Sequence, residues 1–431
     1  MQSGGQEALF TPADLFAGGT EGAWYDPSDI STLFQDSART TPVTASGQPV
    51  GLMLDKSKGL VLGPELITNG KFETNLDGWD VIAPCTMARV GSTLEVSRNS
   101  GGFSDQPVIE IDLVEGHSYI ISADPVSIEG TSSTNFILSV RGADRVTSRS
   151  EPAGLIRPTV GPISGLYRAT VTETAYLLAG VSGTSFGTIR IDNISVRELL
   201  GNHAMQATAA RRLTYQTSPA RATLDNVDDR FLVTVPTGGF TGTMVLATDQ
   251  GTASYGVNIP AGPYDIGGRG GQYFPGDAIV GQLIRDGALS AGDAAATEAY
   301  FVANGATAGY GSVTDFSGYW REWSEITSFP LIDTSSGTRF DRAWQNCTSL
   351  TSFPANAFDN VSGGDFTDAF TDTALTQTSI DNILVSLVAS GIAAGTRVFG
   401  QSDGSAPSST GEAAIDTLRS RGWTVTVTGG Y

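Results

Sequence analysis

The chain has 431 residues, of which 40% are hydrophobic and 16% charged, and it contains 53 glycines. This length predicts about two to four domains, and the composition is typical of turn-rich β structure rather than of a helical enzyme. The 25 basic and 45 acidic residues give a net charge of -20, which disfavours nonspecific binding to nucleic acid and to anionic membranes.

Residues 1–60 are predicted to form loops with short secondary-structure elements, because Pro12, Gly18-Gly19 and Pro42 interrupt the segment. Met1 and the residues that follow it lack the basic region and the apolar core of a signal peptide. No later segment approaches the roughly 20 apolar residues that span a membrane. We therefore expect a protein that is made in the cytoplasm.

Residues 61–198 predict an antiparallel β-sandwich, because short runs of alternating apolar and polar residues recur there with Gly, Ser and Asn between them. These runs are 108–113, 118–122, 136–140, 166–171 and 188–196.

Residues 199–308 predict a β-rich connecting domain that ends in a helix. Runs 231–235 and 242–247 look like two strands joined by the turn at Gly238-Gly239. Ser290 is the expected N-cap of the helix, with Asp293 three residues later.

Residues 309–431 contain a repeat with spacings of 24 and then 26 residues, the period range of a leucine-rich-repeat solenoid. Such units share one core when they stack and leave an extended side surface. Two helices, the second with Thr410 as N-cap, and a closing strand at 423–427 would cap the last unit. The recurring aromatic pairs are Phe316 with Trp320, Phe340 with Trp344 and Phe366 with Phe370.

Two resemblances concern the ends of the chain. Segments 329–334, 346–358 and 404–431 resemble BspA-type leucine-rich repeats, a surface-protein family that recurs in bacteriophage tail proteins. The segments at 22–29 and 49–55 look like the lead-in of phage tail and virion proteins, which implies that residues 1–60 attach the protein to the particle.

In those virion proteins a Gly-Asn-His-Ala motif and a jelly roll of concanavalin type commonly follow the lead-in. Here the motif stands at 201–204, well downstream of Leu54. The sandwich is therefore predicted to be inserted between two halves of one module. Whether residues 1–60 and 199–308 fold together stays open.

A third resemblance concerns the sandwich, where 69–73, Gly78-Trp79 and 191–196 are similar to carbohydrate-binding modules of the jelly-roll type. Members of that family often hold a structural calcium ion near the paired end strands. The resemblance therefore implies Glu73 and Asp192 as oxygen ligands of calcium. The alternative is that both acids are solvated or cap turns.

These observations predict a mainly β, multidomain protein. Its parts would be an antiparallel jelly-roll β-sandwich and a short C-terminal leucine-rich-repeat solenoid with an α/β cap, besides the attachment segment and the connecting domain.

Aromatic side chains are the candidate ligand-binding residues, because the C–H faces of sugars stack on aromatic rings. The alternative for Trp79 and Tyr119 is that they fill the core. Phe316, Phe340 and Phe366 recur at the structural period and are therefore expected in the core of the repeats. The candidates are Trp79, Phe103, Tyr119 and Tyr167 in the sandwich, and Tyr319 and Trp323, together with Arg321, in the repeats.

No catalytic residues are predicted. Neither His117 nor His203 has a nucleophilic Ser or Cys in a suitable motif, and zinc-binding spacings do not occur. The glycine-rich segment 267–272 lacks the Lys-Ser/Thr pair of a phosphate loop. Cys85 and Cys347 are expected to be buried and unpaired. No cofactor is predicted apart from the structural calcium ion that the resemblance implies.

The sequence therefore predicts a phage virion structural protein of tail-fibre or receptor-binding type, which presents glycan- or protein-binding surfaces to the host. Expected partners are tail or capsid proteins, a host glycan or outer-membrane protein, and further copies of the chain, with a trimer expected from the class. A head fibre or capsid decoration protein is the first alternative. A polysaccharide depolymerase is the second, and a bacterial adhesin is the third.

Overall fold

A computed structural model of the chain describes residues 10–100, 102–130, 134–150, 156–157, 159–182, 186–225, 227–267, 276–361, 363–392 and 397–431. Contacts divide the described residues into two compact units. The first unit draws on Met1–Leu33, Val43–Ser57 and Ala204–Tyr431, and the second on Phe34–Pro42 and Lys58–His203. Most of the second unit is therefore inserted into the chain of the first.

The first unit begins with short elements. A 3-10 helix at Pro12–Phe16 follows Thr11, whose hydroxyl accepts a hydrogen bond from the backbone N of Ala13 at 3.1 Å. Another 3-10 helix lies at Ile30–Thr32. The strands are β1 (Gly22–Tyr25), β2 (Leu33–Phe34), β3 (Pro49–Val50) and β4 (Leu52–Met53).

The second unit is an antiparallel β-sandwich. One sheet has the order β14-β10-β16-β8-β7, with β5 on β16, and the other β12-β11-β15-β9-β6, with β13 on β11; a 3-10 helix (Phe103–Asp105) precedes β9. The strands are β5 (Leu62–Glu65), β6 (Trp79–Asp80), β7 (Thr86–Val90), β8 (Thr93–Arg98), β9 (Val108–Leu113), β10 (Ser118–Gly130), β11 (Phe136–Arg141), β12 (Ser148–Ser150), β13 (Ile156–Arg157), β14 (Ile163–Arg168), β15 (Glu173–Val181) and β16 (Gly187–Leu199).

Side chains point alternately to the two faces of a sheet along each strand, so one face of each sheet lies in a shared core. Leu94 and Val96 of β8 are buried in it together with Ile111, Leu138 and Leu177 of the other sheet. The predicted mainly β fold with an antiparallel sandwich is confirmed.

The first unit continues after the insertion with two further antiparallel sheets and a helix, α1 (Ala291–Ala303). A 3-10 helix lies at Ala209–Arg211. The strands are β17 (Ala204–Met205), β18 (Leu213–Thr217), β19 (Ala220–Thr223), β20 (Arg230–Val235), β21 (Phe240–Thr248), β22 (Thr252–Ile259), β23 (Gly262–Gly267), β24 (Ala278–Asp286) and β25 (Ile326–Ser328).

Strands from before and after the insertion pair within these sheets. The larger sheet has the order β25-β22-β21-β24-β19-β18-β3, with β1 on β24, and the smaller sheet has the order β2-β4-β17-β20-β23. Met53 of β4 pairs directly with Ala204 of β17. Residues 1–60 and 199–308 therefore contribute to common sheets, and β25 joins the beginning of the repeats to the larger one.

The strands predicted at 231–235 and 242–247 form as β20 and β21, and the turn at Gly238-Gly239 joins them, but they do not pair with each other. Strand β20 pairs with β17 and β23, whereas β21 pairs with β22 and β24 in the other sheet. The turn at Gly238-Gly239 therefore connects two sheets rather than two neighbouring strands. The predicted N-cap of α1 is confirmed, because the Ser290 hydroxyl accepts a hydrogen bond from the backbone N of Asp293 at 3.1 Å.

The repeats form stacked turns that end in a parallel sheet and two helices. Isolated parallel bridges join Asp315 to Arg339 and Ser328 to Ser352 in successive turns. The N-cap of the last helix is Ser408, not Thr410, because its hydroxyl accepts from the backbone N at 410. The elements are β26 (Phe366–Phe370), α2 (Gln377–Ala389), β27 (Arg397–Gln401), α3 (Ser409–Ser420) and β28 (Trp423–Thr426).

Aromatic rings at equivalent positions stack along the turns. Neighbouring ring centroids are 4.6–5.3 Å apart, with interplanar angles of 2–7°. All six side chains are fully buried, which confirms the prediction that Phe316, Phe340 and Phe366 form the core of the repeats. The two columns are Phe316, Phe340 and Phe366, and Trp320, Trp344 and Phe370.

Candidate ligand-binding groove

Three of the four aromatic residues that are candidate sugar contacts in the sandwich lie in its core. Trp79, Tyr119 and Tyr167 are 6%, 2% and 2% exposed. The ring of Trp79 packs against Phe72, with 5.7 Å between the centroids. The side chain of Phe103 lies outside the described residues. The three described side chains therefore stabilise the sandwich and present no free ring face to a ligand.

The candidates in the repeats differ from each other in exposure. Trp323 is buried, and its ring lies 5.3 Å from that of Tyr255. Tyr319 is half-buried, and Arg321 forms an ion pair of 3.2 Å with Glu322. Trp323 is therefore a core residue that joins the repeats to the larger sheet, whereas the sequence suggested it as a ligand-binding residue.

The two acids proposed as calcium ligands lie at the surface of the sandwich. Glu73 is exposed, and the half-buried Asp192 accepts a hydrogen bond from the backbone N of Asn193 at 2.7 Å. Among the described residues, one cluster of acidic side chains has oxygens close enough together to hold one ion. Neither Glu73 nor Asp192 belongs to this cluster. The calcium site stays a prediction.

Asp225, Asp228 and Asp229 form that cluster, with ligand oxygens within 4.8 Å of one another. Asp225 accepts a hydrogen bond from the backbone N of Val227 at 2.8 Å, and Asp228 pairs with Arg211 at 2.8 Å. Burial raises the pKa of the Asp229 carboxyl to about 6, and the charges of the two neighbouring acids add to this shift. The hydrogen bond within the turn and the ion pair with Arg211 explain why the three carboxylates lie close together.

A groove of about 520 Å³ lies on the repeats, between loops at corresponding positions of two successive turns. One loop follows Phe329 and the other follows Phe353, and these two rings stack with 5.0 Å between their centroids. The volume is within the range of small-ligand sites. The lining includes Leu331, Asp333, Ser335, Asn356, Asp359 and Asn360.

Hydrogen bonds hold both loops of the groove in place. The Thr334 hydroxyl donates to a backbone oxygen of the following turn at 2.6 Å. The Asp333 carboxylate accepts from the backbone N of Ser335 at 2.9 Å, and the Asp359 carboxylate accepts from the Ser386 hydroxyl of α2 at 2.6 Å. The two carboxylates are thus oriented before any ligand arrives.

The groove offers free hydrogen-bonding groups beside an apolar side chain. Asn356 and Asn360 are exposed, and among the described residues neither side-chain amide has a hydrogen-bond partner. Leu331 is 61% exposed. Hydrogen bonds from Ser335 lower the pKa of Asp333, so its carboxyl is ionised well below neutral pH. Amides that donate and accept, together with carboxylates that accept, suit a ligand rich in hydroxyl groups.

The aromatic residues of the sequence do not indicate this groove, because the described residues that line it include no aromatic side chain. The sequence pattern that does indicate the groove is a polar residue shortly after a Phe-Pro pair. Asp333 follows the pair at 329–330, and Asn356 follows the pair at 353–354. Equivalent loops of stacked repeats lie side by side, so polar residues that recur after such a pair mark a common surface.

No protein-family model matches the sequence, and no curated protein is similar to it. Among the described residues, no helix combines the length and hydropathy required to cross a membrane. The BspA-type and phage resemblances therefore stay predictions.

Solved structures of carbohydrate-binding modules are similar to part of the chain. The CBM22-1 xylan-binding domain of Paenibacillus barcinonensis Xyn10C is 11% identical, covers 32% of this chain and 96% of its own length, and gives a TM-score of 0.25. A xylan-binding domain from CBM 22 is 20% identical over 32% of this chain and 96% of its own, with a TM-score of 0.23.

The N-terminal cellulose-binding domain of Cellulomonas fimi β-1,4-glucanase C is 14% identical, covers 30% of this chain and 94% of its own length, and gives a TM-score of 0.22. At these identities and TM-scores, the similarities assign neither a family nor a ligand to this chain.

Proposed function

We propose that the protein is a non-catalytic, glycan-binding structural protein of a phage virion, of tail-fibre or receptor-binding type. The groove between the loops after Phe329 and Phe353 carries the glycan-binding part of this proposal. It combines a preorganised backbone, unpaired amides and an exposed apolar side chain in one concave surface. In a concave site a small number of oriented polar groups fixes the orientation of a ligand and selects it.

In this proposal the polar side chains of the groove form hydrogen bonds with the hydroxyl groups of a sugar. The carboxylates of Asp333 and Asp359 accept hydrogen bonds from hydroxyl groups, and the amides of Asn356 and Asn360 both donate and accept. Leu331 contacts the C–H groups of the sugar ring. Hydrogen bonds to charged acceptors contribute about 1.5–3 kcal/mol each, so the carboxylates are the stronger contacts.

A binding role fits the groove better than a depolymerase role. Glycoside hydrolysis needs one carboxylic acid with a raised pKa and one ionised carboxylate. The pKa of Asp333 is lowered by the hydrogen bonds from Ser335, which is the opposite of what a general acid requires. Incubation with host capsule polysaccharide tests this, and release of reducing ends would contradict the non-catalytic assignment.

The virion role is supported by the resemblance of segments 22–29 and 49–55 to the lead-in of phage tail and virion proteins. The partners would be tail or capsid proteins on one side and a host glycan or outer-membrane protein on the other. Homo-oligomers, with trimers expected, would raise the avidity of a weak site. A head fibre or decoration protein is the alternative, and immunogold microscopy of particles with antibody against 316–431 separates tail from head.

The glycan-binding role is tested by titrating immobilised host-envelope glycans with the full chain. The paired variant Asn356→Ala/Asn360→Ala should lower the affinity at least tenfold, because it removes both free amides from the groove. The matched control is Gln345→Ala, which changes a half-buried side chain of a repeat outside the groove lining. Equal affinities of all three proteins would reject the groove as the glycan site.

A further inference from the structure

We infer that the groove takes glycans without acidic groups and excludes uronate- and sulfate-bearing glycans. This inference rests on the glycan-binding function proposed above and specifies its ligand class. It follows from the charges of the lining residues and from the hydrogen bonds that orient them.

The charge of the groove is negative and is not compensated within it. Asp333 and Asp359 line it, and the residues lining this described groove include no Lys or Arg. The net charge of the chain, -20, has the same sign. A ligand carboxylate or sulfate in this groove would lie beside like charges without a counterion, and recognition of such groups usually depends on Arg or Lys.

The Asp333 carboxylate cannot readily lose its charge by protonation, because hydrogen bonds from Ser335 lower its pKa. The backbone N of Ser335 donates to Asp333 at 2.9 Å and favours the ionised form of this acid. The Ser386 hydroxyl donates to Asp359 at 2.6 Å and orients its carboxylate towards α2. Repulsion of an acidic glycan is therefore built into the loops that form the groove. It should weaken as salt screens the charges.

A protein ligand fits the groove less well than a sugar does. Peptide recognition commonly uses a row of apolar anchors or a strand added to a sheet edge. Here Leu331 is the exposed apolar side chain of the lining, and the remaining named groups are short polar side chains. A volume of about 520 Å³ suits a short stretch of oligosaccharide.

The test is a binding titration of the full chain against immobilised polymers of different charge. The probes are mannan, dextran and galactan as neutral polymers, chitosan oligosaccharide as a cationic one, and polygalacturonate and heparin as anionic ones. We expect at least one neutral or cationic probe to bind at least tenfold more tightly than either anionic probe. That binding should fall at least tenfold in Asn356→Ala/Asn360→Ala.

The charge itself is tested with Asp333→Asn, which keeps the shape of an exposed side chain and removes one negative charge. This variant should bind polygalacturonate several-fold more tightly than the wild type at low salt, and the difference should shrink at high salt. The double variant with Asp359→Asn should show a larger gain, and circular dichroism confirms that both variants are folded.

The outcomes separate this inference from the proposed function. Tightest binding to polygalacturonate or heparin, abolished by Asn356→Ala/Asn360→Ala, would overturn the ligand class and leave the glycan-binding function standing. Unchanged polygalacturonate affinity in both Asp variants would overturn the role of charge. Failure to bind any probe on the panel would overturn both the ligand class and the glycan-binding function, and would direct attention to a protein partner.

Discussion

Trp320 and Trp344 occupy equivalent positions in successive turns of the repeats, but their indole N–H groups have different environments. Trp320 Nε1 donates a hydrogen bond to the Tyr255 hydroxyl at 3.2 Å. Trp344 Nε1 has no partner among the described residues. Both side chains are fully buried in the same aromatic column. The pair therefore separates the contribution of a hydrogen bond from that of packing.

We predict that Trp320→Phe lowers the free energy of unfolding of the first unit by about 1 kcal/mol more than Trp344→Phe does. The first change removes a buried hydrogen bond, whereas the second removes an N–H group that had none. Trp344→Ala gives the scale for lost packing, about 3–5 kcal/mol. Urea unfolding measures all three, and equal losses for the two Phe variants would contradict the prediction.

A second residue, His203, makes the stability of the sandwich depend on pH. It is fully buried, and burial, with smaller contributions from Arg168 and Arg39, lowers its pKa to about 4. An unfolded histidine titrates near pH 6.5, so between these values the unfolded chain binds the proton and the folded chain does not. The stability present above about pH 6.5 is therefore lost as the pH falls towards 4.

We expect the free energy of unfolding of the second unit to fall by about 3 kcal/mol between pH 7 and pH 4 because of His203. This value follows from the difference between the pKa values of the folded and unfolded histidine. Urea unfolding at both pH values measures the loss. In His203→Asn, which has no proton to bind in this range, the loss should be smaller by that amount. The same pH dependence in the variant and in the wild type would show that His203 is not responsible.

At the scale of elements, each turn of the repeats uses residues in the left-handed region at fixed positions. Each repeat unit has two such residues, with φ between 54° and 67°, and the chain turns at both of them. Glycine adopts this conformation most easily, and Asn and Asp tolerate it better than most residues. The equivalent positions are Gly318, Arg342 and Asp368, and Glu322, Asn346 and Asp372.

Arg342→Gly is therefore expected to stabilise the repeats by about 0.5–1 kcal/mol, although glycine usually destabilises ordered segments. The exposed Arg342 has φ of 56°, and its equivalent in the preceding turn is already a glycine. Gln345→Gly is the control, because its φ is not positive, and it should lose about 1 kcal/mol. Thermal or urea unfolding measures both, and destabilisation by both changes would refute the strain argument.

At the scale of the whole molecule, the chain order and the spatial order differ. Met53 and Leu52 of β4 pair with Ala204 and Met205 of β17, so the two ends of the insertion leave neighbouring strands. A module can be inserted at such a point because the two strand ends are already adjacent.

Replacing residues 58–203 by a short Gly/Ser linker should leave the first unit folded and still able to bind the glycan. The expected result is one cooperative unfolding transition and an affinity for the best glycan probe within about threefold of the full chain. The full-length protein and its Asn356→Ala/Asn360→Ala variant are the two controls. Aggregation, or loss of cooperative unfolding, would show that the first unit depends on the inserted sandwich.

Features that depend on local pattern can be predicted from the amino-acid sequence. Alternating runs such as Val108–Leu113 indicate which side of a strand is buried, and the recurrence of Phe316 and Trp320 indicates that each turn contributes the same side chains to one core. The Ser290 cap follows from a hydrogen bond within three residues. Burial and capping of this kind are properties of a few neighbouring residues.

Which strands and loops lie next to each other depends on long-range packing and cannot be predicted from local pattern. The alternation of β20 and β21 is the same whether they pair with each other or, as found, lie in different sheets. A large aromatic residue such as Tyr167 or Trp323 has the same local pattern in a core as on a binding surface. The groove depends on two loops of successive turns that stacking brings side by side. Local pattern specifies that a face is buried, but the partner that buries it is chosen by long-range packing.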